Sequence, residues 1–211
     1  MNQFMLSFGK YKGVSITDIH KKDKQYLQWL ITQPWFKFKH SEDLKQILNL
    51  FKENERLEFN PDSFIIYTDG ACPNNGSKKA MGGIGVHFSL KNKIKLKDLS
   101  RKLDIPNPTN NKAELMAIEK ALEMCIQNNI LKNIVIFTDS EYSMNCITLW
   151  YPKWVKDKKL NGKANTDILQ RIDLLMKQVQ VQFQHIRGHS NLQDEHSIGN
   201  AKADELATKC V

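Results

Sequence analysis

Two short apolar runs, each leading into a Thr-Asp pair, constrain the fold of this chain more than any other feature. The run Phe-Ile-Ile-Tyr at 64–67 is followed by Thr and Asp69, and the run Ile-Val-Ile-Phe at 134–137 by Thr and Asp139. Short apolar runs bounded by turn residues are typical of buried strands. An acid that follows such a strand projects from the carboxyl edge of the sheet, where α/β sheets place their ligand sites. The two runs therefore predict a sheet with carboxylates at its edge.

The larger part of the chain alternates between strand and helix patterns. Strand patterns occupy residues 64–68, 82–89, 133–138 and 179–185, with a weaker one at 93–103, and helical spacing occupies 112–128, 140–150, 167–178 and 198–209. This order predicts an α/β fold, in which a mixed five-stranded sheet carries helices on both faces.

A change of composition near residue 60 divides the chain. Residues 52–63 are polar, contain a proline and follow neither apolar period, which predicts a linker. The linker separates a small α+β module at 1–51 from a domain at 64–211. The 211 residues fit one or two domains.

The charge balance favours a polyanionic partner. The chain has 31 Lys and Arg against 23 Asp and Glu, a formal charge of +8. No apolar run approaches the roughly 20 residues of a membrane span, so we expect no membrane partner. The four cysteines are far apart and form no CxxC pair, which favours reduced thiols in an intracellular protein over disulfides or a Cys-rich zinc site. We expect a monomer.

Two further acids could join Asp69 and Asp139. Glu114 lies in the first turn of a predicted helix, and Asp204 lies inside the terminal helix among alanines and a leucine. Crowded carboxylates repel unless a cation holds them, and hard oxygen ligands suit Mg²⁺ or Mn²⁺. Each acid alone also has a structural explanation, such as a turn, a helix-dipole contact or a solvated helix face.

Six sequence blocks in this order resemble the type 1 ribonuclease H family over about residues 63–210. They are YTDGAC at 67–72 with NNG at 74–76, GGIG at 82–85, TNNKAEL at 109–115, TDSEY at 138–142, HIRGHS at 185–190 and GNAKADELA at 199–207.

The resemblance implies an endonuclease that cuts the RNA strand of RNA–DNA hybrids and leaves 3′-hydroxyl and 5′-phosphate ends. Asp69, Glu114, Asp139 and Asp204 would bind two Mg²⁺ ions, with Mn²⁺ possible, and Asp69 would bridge them. Two ions about 4 Å apart can activate water and stabilise the leaving 3′-oxygen. His189 would assist proton transfer or product release. We assign His185 to a strand and His196 to solvent.

The resemblance also implies how the hybrid is bound. Cys72, Asn75, Asn110, Asn111 and Glu114 match positions that read 2′-hydroxyls, for which amides offer both donors and acceptors. Thr109 and Asn165 match a phosphate pocket for the DNA strand, and Trp150 and Trp154 match aromatic side chains along the DNA channel. Residues 150–163 hold five Lys and one Asp and resemble a basic substrate-binding protrusion. Alternatively, Asn75 and Asn110 serve turns, and the two tryptophans form a core stripe.

Two departures from the family pattern stand out. Fourteen residues separate His189 from Asp204, several more than the common family loop, and Ala201 stands where the family often has Glu. We therefore expect the loop between His189 and Asp204 to move differently from the shorter loop that is common in the family.

The N-terminal module resembles another family. The blocks FGKYKG at 8–13 and YLQWL at 26–30 resemble a module at the C-terminus of exonuclease X-like proteins of the DnaQ-like class. We expect an accessory grip on nucleic acid, with a structural or protein-docking role as the alternative. Tyr26, Leu27, Leu30 and Ile31 have helical spacing and are expected in its core.

Two other functions remain open from the sequence. A DNA nuclease or transposase-like enzyme could use the same fold, although the positions that match 2′-hydroxyl readers disfavour it. A catalytically silent hybrid-binding protein is the second alternative, and the intact set of four acids argues against it.

Overall fold

The structure is a computed structural model that describes residues 4–57, 62–186, 188 and 194–211. The chain divides into two compact units, Met1–Pro61 and Asp62–Val211. No helix in the described ranges is both long and apolar enough to cross a membrane. All four cysteines are free thiols.

The smaller unit is mostly helical. A 3-10 turn at Gly9–Tyr11 precedes α1 (Ile16–Thr32), α2 (Pro34–Lys39) and α3 (Ser41–Leu57). The β component of the expected α+β module is a single antiparallel bridge between Met5 and Ser15. The unit has its own apolar core, made of Leu6, Ile16, Ile19, Leu27, Leu30, Phe36 and Ile47.

Helix α3 corrects the expected start of the linker. The sequence predicted a linker from residue 52, but the helix continues to Leu57. Residues 52–57 lack an apolar period, yet Lys, Glu and Arg have high helix propensity and no Gly or Pro interrupts them. The absence of an apolar period therefore did not mark the end of the helix.

The larger unit contains the expected alternation of strands and helices. Its strands are β1 (Phe64–Ala71), β2 (Gly82–Phe88), β3 (Leu99–Leu103), β4 (Ile134–Thr138) and β5 (Val181–His185). Its helices are α4 (Asn110–Gln127), α5 (Glu141–Asn145), α6 (Tyr151–Lys156), α7 (Thr166–Met176) and α8 (Glu195–Thr208), with a π-helical turn at Cys146–Trp150 between α5 and α6.

The five strands form one mixed sheet in the order β3-β2-β1-β4-β5, which confirms the predicted fold class. Strands β1, β2 and β3 are antiparallel neighbours, whereas β1, β4 and β5 run parallel. Successive side chains alternate between the faces of a strand. Ile66 packs into the core with Leu115 of α4 and Ile172 of α7, while the adjacent Tyr67 lies against Gly199 of α8 on the other face.

Strand β1 is longer than predicted, and this changes the position of its acid. The apolar run suggested an end at Thr68, but the strand continues to Ala71 because Asp69, Gly70 and Ala71 pair with the glycine-rich start of β2. Asp69 therefore lies inside the strand, opposite Gly85. The last helix also begins earlier than residue 198, because Asp194 caps it by accepting hydrogen bonds from the backbone N–H groups of His196 and Ser197.

Helix α8 lies almost directly on β2. A Cβ atom at Gly85 would overlap the carbonyl oxygen of Ala203, and a Cβ atom at Gly83 would overlap that of Ala207. Ala203 and Ala207 are fully buried. Small residues on both elements thus allow the close approach of helix and strand.

We expect Gly85→Ala to lower the free energy of unfolding of the larger unit by about 1–3 kcal/mol, because the added methyl group must displace helix backbone. Urea unfolding followed by circular dichroism measures this change. Lys102→Ala, an exposed change on the neighbouring strand β3, is the matched control and should shift the free energy much less. Equal stability of Gly85→Ala and the native protein would contradict the close packing.

Candidate active site

Three of the four predicted acids meet near the carboxyl ends of β1 and β4. Asp69 comes from β1, Glu114 from α4 and Asp139 from the residue directly after β4, and oxygen atoms of the three carboxylates lie within 4.8 Å of one another. Strands β1 and β4 are parallel neighbours with Tyr67 opposite Phe137. Asp69 and Asp139, two residues further along each strand, are therefore placed side by side.

Helix α4 reaches these strand ends through a close backbone contact. A Cβ atom at Gly70 would overlap the backbone of Ala113 and Glu114, so the first turns of α4 lie against the end of β1. The helix start is fixed by Thr109, whose Oγ1 accepts a hydrogen bond of 3.2 Å from the backbone N–H of Lys112. The contact at Gly70 brings the Glu114 carboxylate beside Asp69.

Burial and neighbouring acidic charges oppose the ionisation of two of these carboxylates, those of Asp69 and Glu114. Burial, and then the charge of Asp139, raise the pKa of Asp69 to about 6, and Asp204 contributes in the same direction. Burial, and then the charges of Asp69 and Asp139, raise the pKa of Glu114 well above its ordinary value. The Oε2 atom of Glu114 is buried and has no hydrogen-bond partner among the described residues. Buried carboxylates that repel one another, with an unused oxygen, fit a bound cation.

Asp204 lies near these three carboxylates, but it is not among the acids whose oxygens lie within 4.8 Å of one another. It is half-buried on α8, one residue after Ala203, whose carbonyl oxygen lies against Gly85 of β2. Gly85 is the pairing partner of Asp69. The charge of Asp204 contributes to the raised pKa of Asp69, so the fourth acid acts on the site electrostatically.

Three residues that the sequence analysis did not select surround Asp139. Asn200 donates a hydrogen bond of 2.9 Å from Nδ2 to Asp139 Oδ2, and His185 donates from Nε2 to the Asp139 carbonyl oxygen at 3.1 Å. A Cβ atom at Gly188 would overlap Asp139 Oδ2, so the backbone passes directly over this carboxylate. Helical spacing could have identified Asn200, because it lies four residues before Asp204 and so shares a helix face with it.

His196 is not solvated, contrary to the sequence expectation. Its ring stacks on Phe137 with centroids 4.2 Å apart, and Nδ1 is hydrogen-bonded to the Tyr67 hydroxyl at 3.1 Å. The adjacent Glu195 forms an ion pair with Lys91. The expectation failed because the polar residues were assumed to extend a loop, whereas they form the first turn of α8 against the sheet. His189, the predicted mobile histidine, lies outside the described residues.

The predicted 2′-hydroxyl readers occur in two segments. Asn75 is exposed in the turn after β1, and Asn110 and Asn111 are exposed in the first turn of α4. Cys72 is 6% exposed, and its carbonyl oxygen accepts a hydrogen bond of 3.1 Å from the Asn75 N–H. The Gly70 contact joins these two segments, because it packs the end of β1 against the start of α4.

Three of the four predicted DNA-strand residues, Trp150, Trp154 and Asn165, form a second group, whereas Thr109 caps α4. The rings of Trp150 and Trp154 are stacked with centroids 6.3 Å apart, and Lys163 Nζ lies 5.3 Å from the Trp154 ring centroid. Asn165 donates a hydrogen bond of 2.9 Å to Tyr142 Oη, and the Tyr142 ring lies 6.0 Å from that of Trp150. Trp150 is 39% exposed, while Trp154 is half-buried and packs against the main core. The alternative of a core stripe thus fits Trp154, which packs partly against the core, but does not fit Trp150.

Family models match parts of both units. A family model described as "RNase H" matches residues 61–211, and one described as "Exodeoxyribonuclease X-like C-terminal" matches residues 6–33. The larger match covers well over half of the chain.

Relatives and solved structures agree with the larger match. The chain is 35% identical to Ribonuclease H1 of Mus musculus over 151 residues, which cover 69% of this chain and 49% of that protein. It is 34% identical to Ribonuclease HI of Pseudomonas aeruginosa over 156 residues, which cover 71% of this chain and 94% of that protein. The solution structure of the PFV RNase H domain aligns with a TM-score of 0.57 at 25% identity and covers 70% of this chain and 93% of that domain. The matched segment thus spans about half the length of the mammalian and yeast relatives.

The raised pKa of Asp69 predicts that the metal-free protein loses stability as the pH rises. An unfolded Asp ionises near pH 3.8, whereas folded Asp69 keeps its proton to about pH 6. Between these values the unfolded state releases the proton first and is favoured, so a contribution of about 3 kcal/mol that is present below pH 4 is lost by about pH 6. Thermal unfolding in EDTA between pH 4 and pH 7 measures the loss.

Asp69→Asn is the control for this effect. It should remove this part of the pH dependence, and Mg²⁺ at pH 7 should raise the melting temperature of the native protein more than that of the variant. An identical pH dependence in the two proteins would contradict the assignment.

Proposed function

Because the chain belongs to the RNase H family, we propose that it is an endonuclease that hydrolyses the RNA strand of RNA–DNA hybrids and leaves 3′-hydroxyl and 5′-phosphate ends. The observation that carries the proposal is the cluster of Asp69, Glu114 and Asp139 within the matched segment. The cluster is built within one unit, so we propose that the protein acts as a monomer.

Divalent cations fit this cluster, since it combines mutually repelling carboxylates with a buried, unpartnered Glu114 oxygen. Asp69, Glu114, Asp139 and Asp204 are the residues that would hold the two proposed ions, Mg²⁺ or Mn²⁺. Such ions, when bound, stabilise negative charge on the reacting oxygens and lower the pKa of water. Asn200 holds the orientation of Asp139 through its hydrogen bond to Oδ2, and α8 carries both Asn200 and Asp204 to the site.

We assign proton transfer or assistance to product release to His189. Gly188, the residue before His189 in the sequence, lies against the Asp139 carboxylate. A histidine titrates near neutral pH and can accept and return a proton there.

Recognition of the RNA strand is proposed for Cys72, Asn75, Asn110, Asn111 and Glu114. The three asparagines are exposed and can both donate to and accept from a 2′-hydroxyl. Cys72 is almost fully buried and supports the turn that presents Asn75. Duplex DNA has no 2′-hydroxyl, so this arrangement favours a hybrid over DNA.

Binding of the DNA strand is proposed for Thr109, Asn165, Trp150 and Trp154. Trp150 offers an exposed ring in the segment that also carries exposed lysines at 153, 156, 158, 159 and 163. Basic side chains that neutralise phosphates release counterions, so hybrid affinity should fall with salt.

Asp139→Asn should abolish cleavage of a labelled hybrid at saturating Mg²⁺, because it removes a metal-ligating charge. Binding of the hybrid should remain intact. Cleavage is measured on denaturing gels, and binding by fluorescence anisotropy in EDTA. Asp173→Asn removes an acid that is ion-paired with Lys177 on α7 and should leave activity unchanged. Robust cleavage by Asp139→Asn would refute the metal assignment.

The same assay separates the alternative functions. The native protein should cut the hybrid in Mg²⁺, stop in EDTA and leave duplex DNA of the same sequence intact. Preferential cutting of duplex DNA would make the protein a DNA nuclease. Tight hybrid binding without cleavage in either Mg²⁺ or Mn²⁺ would make it a silent binding protein.

His189→Ala should lower kcat for hybrid cleavage by about 100-fold or more, as loss of a proton-transfer group usually does, with little change in KM. Steady-state kinetics between pH 6 and pH 9 measure this, and the dependence on a group titrating near neutral pH should disappear. An unchanged kcat would exclude the role.

A further inference from the structure

A row of aromatic side chains on the small N-terminal unit includes two exposed tryptophans, and the proposed nuclease chemistry does not use it. Trp29 is 50% exposed and Trp35 is 41% exposed, with their ring centroids 6.5 Å apart in an edge-on arrangement. Tyr26 continues the row, 6.0 Å from Trp29, and Tyr11 follows 5.0 Å from Tyr26. These two tyrosines are half-buried and pack against the core of the unit. We call Lys10, Tyr11, Tyr26, Trp29 and Trp35 the aromatic surface.

Helix periodicity and a short connection produce this surface. Helix α1 buries Leu27 and Leu30 in the core of the unit, which leaves Trp29 on its outer side. Pro34 then begins α2 directly after the cap of α1, and this brings Trp35 beside Trp29. Two neighbouring, half-exposed tryptophans keep apolar area in contact with water, and such exposed apolar patches commonly mark interaction sites.

The surface is flanked by positive charge. Lys10 Nζ lies 4.8 Å from the Tyr11 ring centroid and 6.0 Å from that of Tyr26. Asp23 contacts two residues of the 3-10 turn. Its carboxylate accepts a hydrogen bond of 2.9 Å from Tyr11 Oη and lies 3.3 Å from Lys10 Nζ. The first 40 residues contain seven lysines and two aspartates. A neutral or basic apolar partner would not use this excess of positive charge, whereas a polyanion would.

We propose that the aromatic surface binds single-stranded nucleic acid, with unpaired bases stacked on Trp29 and Trp35 and phosphates near Lys10 and Lys12. Every base has a π-face, so stacking on exposed rings is largely independent of sequence. In a duplex those faces are covered by neighbouring base pairs, so the surface selects unpaired nucleotides over duplex. Lysines beside the rings supply the salt-dependent contact with the backbone.

This inference goes beyond the proposed cleavage of a hybrid. The two units are parts of one chain, so a strand held by the smaller unit raises the effective concentration of an adjoining hybrid at the nuclease unit. The surface therefore favours substrates in which a single-stranded tail continues from the hybrid.

The test compares single-stranded and blunt-ended ligands with the full-length protein. Fluorescein-labelled 15-nucleotide DNA, RNA of the same sequence, blunt duplex DNA and blunt hybrid are titrated in EDTA and followed by anisotropy. Trp29→Ala with Trp35→Ala should weaken binding of the single strands at least tenfold, since one base stacked on an aromatic ring contributes about 1–3 kcal/mol. Affinity for the blunt duplexes and cleavage of the blunt hybrid should be unchanged.

Matched variants separate stacking from loss of folding. Trp29→Tyr with Trp35→Tyr keeps two aromatic faces and should retain most of the single-strand affinity. Leu48→Ala removes an exposed apolar side chain of α3 and should have no effect. Lys12→Gln, at an exposed lysine, should reduce the dependence of single-strand affinity on salt.

Unchanged single-strand affinity in the Trp→Ala pair would overturn the inference, and so would an equal loss for the blunt duplexes. Comparison of the DNA and RNA strands shows which of the two is preferred. Cleavage of a blunt hybrid is scored separately. Loss of the proposed single-strand binding would therefore leave the proposed nuclease function standing, and absence of cleavage would leave the single-strand site standing.

Discussion

The larger unit holds like charges together in a place that is largely excluded from water. Asp69 is 7% exposed, and its carboxylate lies beside those of Glu114 and Asp139. Backbone packing fixes this arrangement, because β1 and β4 are parallel neighbours and Gly70 admits the backbone of Glu114. Without a cation, the raised pKa values of Asp69 and Glu114 show the electrostatic cost. A bound cation would remove the cost, so the fold is complementary to a positive charge before one arrives.

Helix α8 lies on the face of the sheet opposite α4 and also contributes to the site. Gly83 and Gly85 allow this helix to approach β2 at backbone distance, and the helix then carries Asn200 to Asp139. His196 anchors its first turn on Phe137 and Tyr67. The alternation of side chains along a strand puts Asp69 on the same face as Tyr67, and Asp139 on the same face as Phe137, which is the α8 face. Glu114 comes from α4 on the other face, so the site is built from both faces.

Local patterns predicted the five strands and four helical segments of the larger unit, but not α6. They also predicted that Asp69 and Asp139 lie together, because apolar runs followed by acids can be read from short stretches of sequence. Features that depend on distant partners were missed. Strand β1 is extended through Asp69 only because the glycines of β2 pair with it, and His196 is drawn from solvent by two rings far away in sequence. The extent of α3 was missed because its last turns carry no apolar period. The roles of His189 and the substrate-binding residues came from family resemblance alone.

The π-helical turn at Cys146–Trp150 has a consequence for how this region tolerates changes of length. Such a turn accommodates one residue more than a regular helical turn does, and successive residues of an α-helix are rotated by about 100°. Because the π turn holds the extra residue, deleting one residue there would let the segment close into a continuous α-helix that stays in phase with the core that receives Tyr151. Deleting one residue within α5 would instead rotate everything after it by about 100° and would turn the stacked pair of Trp150 and Trp154 away from its present position.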